Sequence, residues 1–507
     1  MYQFFFLQIL LLVTVPSLGF DFSKVKDLKK CFVDPDYEKL VNIAQRGLGQ
    51  KCNSKKVVIV GAGISGLTAA KLLKDAGCQV SILEASDRVG GRIMTHHQAG
   101  EDWYVELGPM RLPKTHRIVR TFIEKLKLNL NPFAQSHENG WYFINGIRAR
   151  AKDVIRNPGI LNYTVNESEK GKSAAQLYSE AMYKAVEKLY KWNCNEIWGK
   201  YDTFSTKEYL IKEGGLSRGA VQMIGDLMNR DSSFHISFLS SVTEYVAFLQ
   251  VGFDEITGGF SNLPRAFHKS LPGVVRFNSP VVKIARNGDG ATVYYRTVNT
   301  KGVSSVTADY VLVTATARAA RLIQFQPTLS YNKTDALRSI HYAAATKIAL
   351  ICTEKFWEKD GIPGGQSITD QPARFIYYPD HKFPSGLGVI LASYTVNDDA
   401  EFFTSLSNER CLDVVLDDLA AVHNISKAYL QRVCKRHVVK KWNMDEYAMG
   451  AFAAFTPYQF IDFYKVLFEN EGRIHFAGEH TGFPHAWIDT AMLSALKASL
   501  NIYKGVH

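Results

Sequence analysis

Three kinds of hydrophobic patterning run along this 507-residue chain. The first is a mostly apolar run from Phe4 to Val15, closed by Pro16 and by the small residues Ser17 and Gly19. It is too short to span a bilayer, and it predicts a cleaved secretory leader over residues 1–19. A buried N-terminal strand is the competing reading. The second pattern covers residues 56–84. A β-branched run, KVVIV (56–60), enters a glycine turn; SGLTAAKLLKDA (65–76) has apolar residues at helical spacing and stops at Gly77; QVSILE (79–84) reads as the next strand. The third pattern alternates by region. Residues 151–251 are helical in period, strands return from about 275, two-residue alternation reappears in KIALICT and GVILASYTV, and a strand-like RIHFAG precedes a final helix. The order α/β, helical, β-rich, α/β predicts a Rossmann-type α/β domain interrupted by an inserted β-rich substrate domain and a helical domain.

The βαβ opening carries Gly61-Ala62-Gly63-Ile64-Ser65-Gly66, and Glu84 ends the second strand 18 residues after Gly66. In that context G-x-G-x-x-G is the dinucleotide fingerprint. Gly61 makes the tight turn, Gly63 lets the backbone approach a pyrophosphate, and Gly66 allows close helix–strand contact. The helix N-terminus stabilises phosphate charge, and Glu84 can accept hydrogen bonds from ribose hydroxyls.

Charge and cysteines change the picture little. The net charge of +11 is spread along the chain, which suits attraction to acidic surfaces but not a nucleic-acid stripe. The sequons at Asn162, Asn166, Asn332 and Asn424 are candidate glycan sites in a secreted chain. None of the seven cysteines forms a C-x-x-C pair, so no metal site is expected, and an odd count leaves at least one thiol outside any intramolecular bridge.

Beyond Glu84 the chain continues through Ala85 into R-x-G-G-R, ending at Arg92, and nearly 400 residues later it reads Phe476-Ala477-Gly478-Glu479-His480-Thr481. This pair of motifs resembles the flavin amine oxidase superfamily and implies FAD. The stretch GEHTGFPHAWIDTAML has no cysteine, so the resemblance implies noncovalent flavin. Longer segments, among them GPMRLPKTHRIVR (108–120), RFIYYP (374–379), KWNMDEYAMGAFAAFTPYQF (441–460) and HAWIDTA (485–491), resemble secreted L-amino acid oxidases of the snake-venom, fish and leukocyte type.

That resemblance implies site residues. FAD contacts would come from Gly61, Gly63, Ile64, Ser65, Gly66, Glu84, Ala85 and Arg92. Gly108, Pro109, Met110, Arg111 and Val281 would add to them, as would Glu479 and the run Trp487, Ile488, Asp489, Thr490 and Ala491. Arg111 would clamp the substrate carboxylate, since a planar guanidinium binds carboxylate in bidentate fashion, and Tyr394 would donate to the same group. Trp487 would be an aromatic wall beside the flavin. Lys347 would hold a water near the flavin and assist O2 reduction or imine hydrolysis. Structural roles compete in each case: an ion pair for Arg111, core packing for Trp487, a solvent-facing strand edge for Lys347, and either cavity wall or core for Tyr377.

Two departures stand out. Where the venom enzymes have a histidine in the helical domain, this chain offers Thr243 or Glu244, so no general base is assigned. Ala486 replaces the venom glycine before Trp487, and one methyl group could narrow substrate choice. The resemblance also implies bridges Cys31–Cys194 and Cys352–Cys434, with Cys52, Cys78 and Cys411 free or buried and Cys78 a core thiol. The implied division is a signal peptide (1–19), an N-terminal segment (20–50), an FAD domain (52–90, 262–340 and 468–507), a substrate domain (91–150 and 341–467) and a helical domain (151–261). The implied activity is oxidative deamination of L-amino acids to 2-oxo acids with ammonia and H2O2, in an extracellular or granule-stored homodimer that is antimicrobial or cytotoxic through H2O2. The alternatives are a polyamine or monoamine oxidase, or a silent surface-binding flavoprotein.

Overall fold

The computed structural model describes residues 31–49, 52, 54–188, 193–247, 252–297 and 300–507; the leader region lies outside them. A parallel five-stranded sheet organises the dinucleotide end. Its first crossover is β1 (Lys56–Val60), α1 (Ile64–Asp75) and β2 (Gln79–Leu83). The sheet is completed by β3 (Val275–Arg276), β4 (Tyr310–Val313) and β7 (Ile474–Phe476), in the order β3-β2-β1-β4-β7. Every neighbouring pair is parallel. Both faces are covered, so β1 and β4 read as continuous apolar runs rather than alternating ones. The long C-terminal helix α2 (Ile488–Lys504) lies against α1 and seals one face.

The substrate region is built on a seven-stranded sheet whose central strands include β5 (Ala345–Cys352) and β6 (Gly388–Val396). These two pair antiparallel, with Lys347 opposite Tyr394. Helices between 174 and 247 form a separate apolar cluster, to which Cys31 and Phe32 from the N-terminal segment belong. The strands of the parallel sheet therefore come from three stretches of sequence, and the α/β architecture with inserted β-rich and helical regions is the expected one.

The bridges Cys31–Cys194 and Cys352–Cys434 are present. The expectation for Cys52 and Cys78 is corrected: the two are bonded to each other, which leaves Cys411 as the free thiol among the described residues, buried in the substrate-region core. The cause is local. Cys78 follows the C-terminal end of α1, and the backbone N–H of Cys52 donates to Ala76 O at 3.1 Å, so the chain ahead of β1 is pinned beside the end of the helix. All four sequon asparagines are exposed.

Candidate functional site

A single cavity of about 1470 Å³ runs from the glycine turn after β1, past the substrate sheet, to the helical region. Ordinary small-molecule pockets fall at or below roughly 1,000 Å³, so this one has room for a dinucleotide and a substrate together.

The dinucleotide end is shaped by missing side chains. Gly61 has φ +104°, a conformation that favours glycine. A Cβ on Gly66 would come 2.1 Å from Gly61 O, so the helix can lie this close to the turn only without one. Around Gly63 a Cβ would meet nothing within 4 Å, because that position opens onto the cavity. Ser65, in the first turn of α1, has a buried Oγ with no hydrogen-bond partner among the described residues, as expected for a group aimed at a phosphate. Glu84 accepts from Ala62 N at 2.6 Å and from Ser86 N and Oγ at 2.9 and 2.7 Å, which fixes its carboxylate beside the cavity. Ile64, Ala85, Gly108, Pro109, Met110 and Val281 also line it. These features fit FAD.

Arg92 and Glu479 do something the motifs alone do not convey. Arg92 Nη1 donates to Glu479 Oε1 at 2.6 Å across 387 residues of sequence, so the two flavin motifs are joined directly. Glu479 also accepts from Ala453 N and Ala486 N. Burial alone would raise its pKa, but Arg92, with His485 and His480, holds it at about 2. Both side chains remain on the cavity wall.

Helix α2 sorts its residues by period. Ile488 and Ala491, three apart, face the cavity with Trp487 and Ala486. Asp489 and Thr490 are not brought there. The Asp489 carboxylate accepts from Tyr37 Oη at 2.8 Å and Val119 N at 2.9 Å, and Thr490 Oγ1 donates to Pro484 O at 2.6 Å. Their side chains serve packing of the N-terminal segment and the preceding loop. Ala486 has φ +71°, which shows why glycine suits that position, and Trp487 meets His116 edge-on at 5.1 Å.

At the substrate end, Lys347 is 2% exposed, which excludes a solvent-facing strand edge. Its Nζ donates to Gly108 O at 2.6 Å and Glu106 O at 3.2 Å, and it lies 4.8 Å from the Tyr394 ring centre. Burial lowers its pKa; the Glu106 carboxylate opposes that shift and Arg111 adds to it. Arg111 Nη1 donates to Gln135 Oε1 at 2.8 Å and reaches Tyr377 Oη at 3.5 Å. Among the described residues no carboxylate pairs with Arg111, so the ion-pair reading has no partner. Tyr377 and Tyr394 stand 6.4 Å apart, centre to centre, both on the cavity wall. Arg111, Tyr394 and Lys347 are therefore brought together from a loop and two paired strands.

In the helix Phe238–Ala247, Thr243 Oγ1 is used on Leu239 O at 2.7 Å, while Glu244 pairs with Arg230 at 3.2 Å. His235 stacks edge-on with His341 and does not line the cavity. Gln135, Glu106 and Arg230 are neighbours of the site that sequence reasoning missed. Gln135 lies in a loop without periodicity, and nothing in its surroundings signals contact with Arg111.

The model of flavin containing amine oxidoreductases matches residues 64–502. The chain belongs to that family. A pyridine nucleotide-disulphide oxidoreductase model matches residues 26–101, the dinucleotide opening. An L-amino-acid oxidase of Echis ocellatus is 51% identical over 500 residues, covering 98% of each chain. One from Bungarus fasciatus is 52% identical over 476 residues, covering 94% of this chain and 92% of that one. Among solved structures, a putrescine oxidase variant aligns with TM-score 0.74 at 22% identity over 89% of this chain and 99% of that one. Cyclohexylamine oxidase from Brevibacterium oxydans aligns with TM-score 0.70 at 18% identity over 89% and 98%. The last two support the fold. As a member of the flavin family, the protein is an FAD-dependent oxidoreductase.

Proposed function

We propose that the protein is an L-amino-acid oxidase. It converts an L-amino acid, O2 and water to a 2-oxo acid, ammonia and H2O2. The observation that carries this reading is Arg111, a guanidinium on the cavity wall whose partners are neutral, Gln135 and Tyr377. A part-buried guanidinium without an acidic partner among the described residues is matched by a substrate carboxylate. A simple amine has no such group, which places the polyamine or monoamine oxidase reading second. The Tyr394 hydroxyl adds a neutral donor to the same end.

When bound, FAD accepts the hydride of the substrate Cα and passes the electrons to O2. The chain's own residues do the positioning. Arg111 and Tyr394 hold the carboxylate, which fixes where Cα lies. Trp487 and Ala486 form another part of the cavity wall. Lys347, kept dry and with a depressed pKa, holds or releases a proton at Nζ beside the Gly108 carbonyl. Among the described residues no general base is assigned for the substrate amine. Thr243 is spent on its own helix, so the substrate amine enters deprotonated or gives its proton to water.

The flavin is held noncovalently: among the described residues the free thiol is Cys411, which does not line the cavity. Three disulfides and four exposed sequons support an extracellular or granule-stored glycoprotein. The net charge of +11 suits contact with acidic cell surfaces, where H2O2 release would be antimicrobial. Oxygen-uptake assays with all L-amino acids test the activity. H2O2 and 2-oxo acid in equal amounts are expected, and turnover of amines but not amino acids would overturn it.

A further inference from the structure

Three side chains able to ligate a metal converge where two sheets meet, and none of them lines the cavity. Glu255 lies on the strand Phe253–Ile256, in a three-stranded sheet with Leu112–Pro113 and Leu130–Pro132. Asp380 and His381 follow the strand Phe375–Tyr378 of the seven-stranded sheet. One atom from each, two carboxylate oxygens and a ring nitrogen, lie within 4.8 Å of one another.

The cluster holds more negative charge than its hydrogen bonds account for. The Glu255 side chain is 9% exposed, and a single oxygen, Oε1, meets both His381 Nδ1 at 3.1 Å and Asn131 Nδ2 at 3.5 Å. Neither carboxylate pairs with a lysine or arginine among the described residues. Burial and the charge of Glu255 raise the Asp380 pKa above the usual carboxylate value. The His381 ring is held in place, stacked on Tyr104 at 4.6 Å and edge-on to Phe383 at 5.1 Å. Its Nε2 is buried and has no hydrogen-bond partner among the described residues, so one ring nitrogen is uncommitted beside two carboxylates. Asp380 is exposed and opens the cluster to solvent.

A hydrogen bond between His381 and Glu255 alone leaves Asp380 facing a like charge. A divalent cation satisfies all three groups. One imidazole with two carboxylates suits Zn2+, bound at roughly 2.0–2.2 Å with a water in the fourth position. Donors on such a tetrahedral ion stand roughly 3.4 Å apart, a spacing that side-chain rotation can reach from the one seen. Ca2+ and Mg2+ prefer oxygen donors throughout.

We propose that Glu255, Asp380 and His381 form a Zn2+ site that fastens the two sheets to each other. The same two strands touch the carboxylate clamp. Phe253 lies 5.4 Å from the Arg111 guanidinium, ring centre to Cζ, and Tyr377 Oη is 3.5 Å from Arg111 Nη1. The ion thus joins the two segments on which Arg111 rests.

Holoenzyme stripped with EDTA and titrated with Zn2+ at pH 7.5, where an ordinary imidazole is mostly neutral, tests the site by calorimetry and thermal unfolding. Neither measurement needs turnover, so failure of the oxidase reading would leave the result untouched. The wild type should bind Zn2+ with micromolar or tighter affinity and show a raised Tm, and Ca2+ at the same concentration should do neither. Asp380→Asn, an exposed change that keeps the size of the side chain, should weaken the tightest Zn2+ step at least tenfold, as should His381→Gln. Absence of Zn2+ binding in the wild type overturns the proposal. So does an affinity that either variant leaves within twofold, because the ion then sits elsewhere, or an equal response to Ca2+, which this donor set does not allow.

Discussion

At the dinucleotide end of the cavity the wall is backbone. Gly61, Gly63 and Gly66 lie within six consecutive residues, and their function is to have no side chain where the helix meets the turn. At the substrate end the wall is side chains. Arg111, Gln135, Lys347, Tyr394 and Glu244 come from separate segments and share one cavity only when two strands pair and two loops and a helix close around it. A backbone site is encoded locally, and at Gly66 it tolerates no added atom. A side-chain site is encoded by the whole fold and can be retuned one residue at a time.

The sharpest way to break the first half of that contrast is Gly66→Val. Its Cβ would fall 2.1 Å from a backbone oxygen that cannot give, so the variant should hold no flavin, read as loss of visible absorbance after gel filtration. A fully loaded variant would mean that the turn is not the cofactor cradle. At the other end, Arg111→Met should keep its flavin and lose kcat/KM for L-amino acids by about 10²–10³-fold, as expected for one or two charge-assisted hydrogen bonds of roughly 1.5–3 kcal/mol each. A loss under threefold would put the carboxylate elsewhere.

Smaller effects test how the two ends are held together. Opening the Cys52–Cys78 bridge with paired serines should cost about 3.5 kcal/mol of stability for its separation of 26 residues, measured by denaturant unfolding. No change would mean that the bond does not form in solution. The Arg92–Glu479 pair adds an acid-side dependence. Glu479 is depressed to about 2 in the folded protein, so its contribution is present above the ordinary carboxylate pKa and is lost as pH falls from there toward 2. One proton corresponds to a slope of roughly 1.4 kcal/mol per pH unit in that window. Arg92→Met should flatten it, and an unaltered slope would show that another carboxylate governs acid unfolding.

The same contrast explains what was readable in the sequence. The helix expected over 65–76 forms as Ile64–Asp75 and the strand over 79–84 as Gln79–Leu83, because hydrophobic period and glycine position decide both. Arg111 and Tyr394 carry no local signature, and resemblance to a family pointed to them; Lys347 carries one, a cation in the middle of an apolar strand. Where that resemblance supplied a run of residues, 487–491, helical period divided it: Ile488 and Ala491 reached the cavity while Asp489 turned to Tyr37 and Val119. Cys52 and Cys78 were unreadable as a pair because their closeness depends on where α1 ends relative to the start of β1. Gln135 and Arg230 were unreadable because both lie in irregular segments, where no periodicity points them at partners 24 and 14 residues away.

The most direct test of the central claim is anaerobic mixing of the holoenzyme with single amino acids while the flavin absorbance is followed. L-Amino acids should bleach the flavin, D-amino acids and the corresponding decarboxylated amines should not, and Arg111→Met should lose the distinction between acid and amine. Equal bleaching by an L-amino acid and its decarboxylated amine in the wild type would contradict the assignment of this cavity to amino acids.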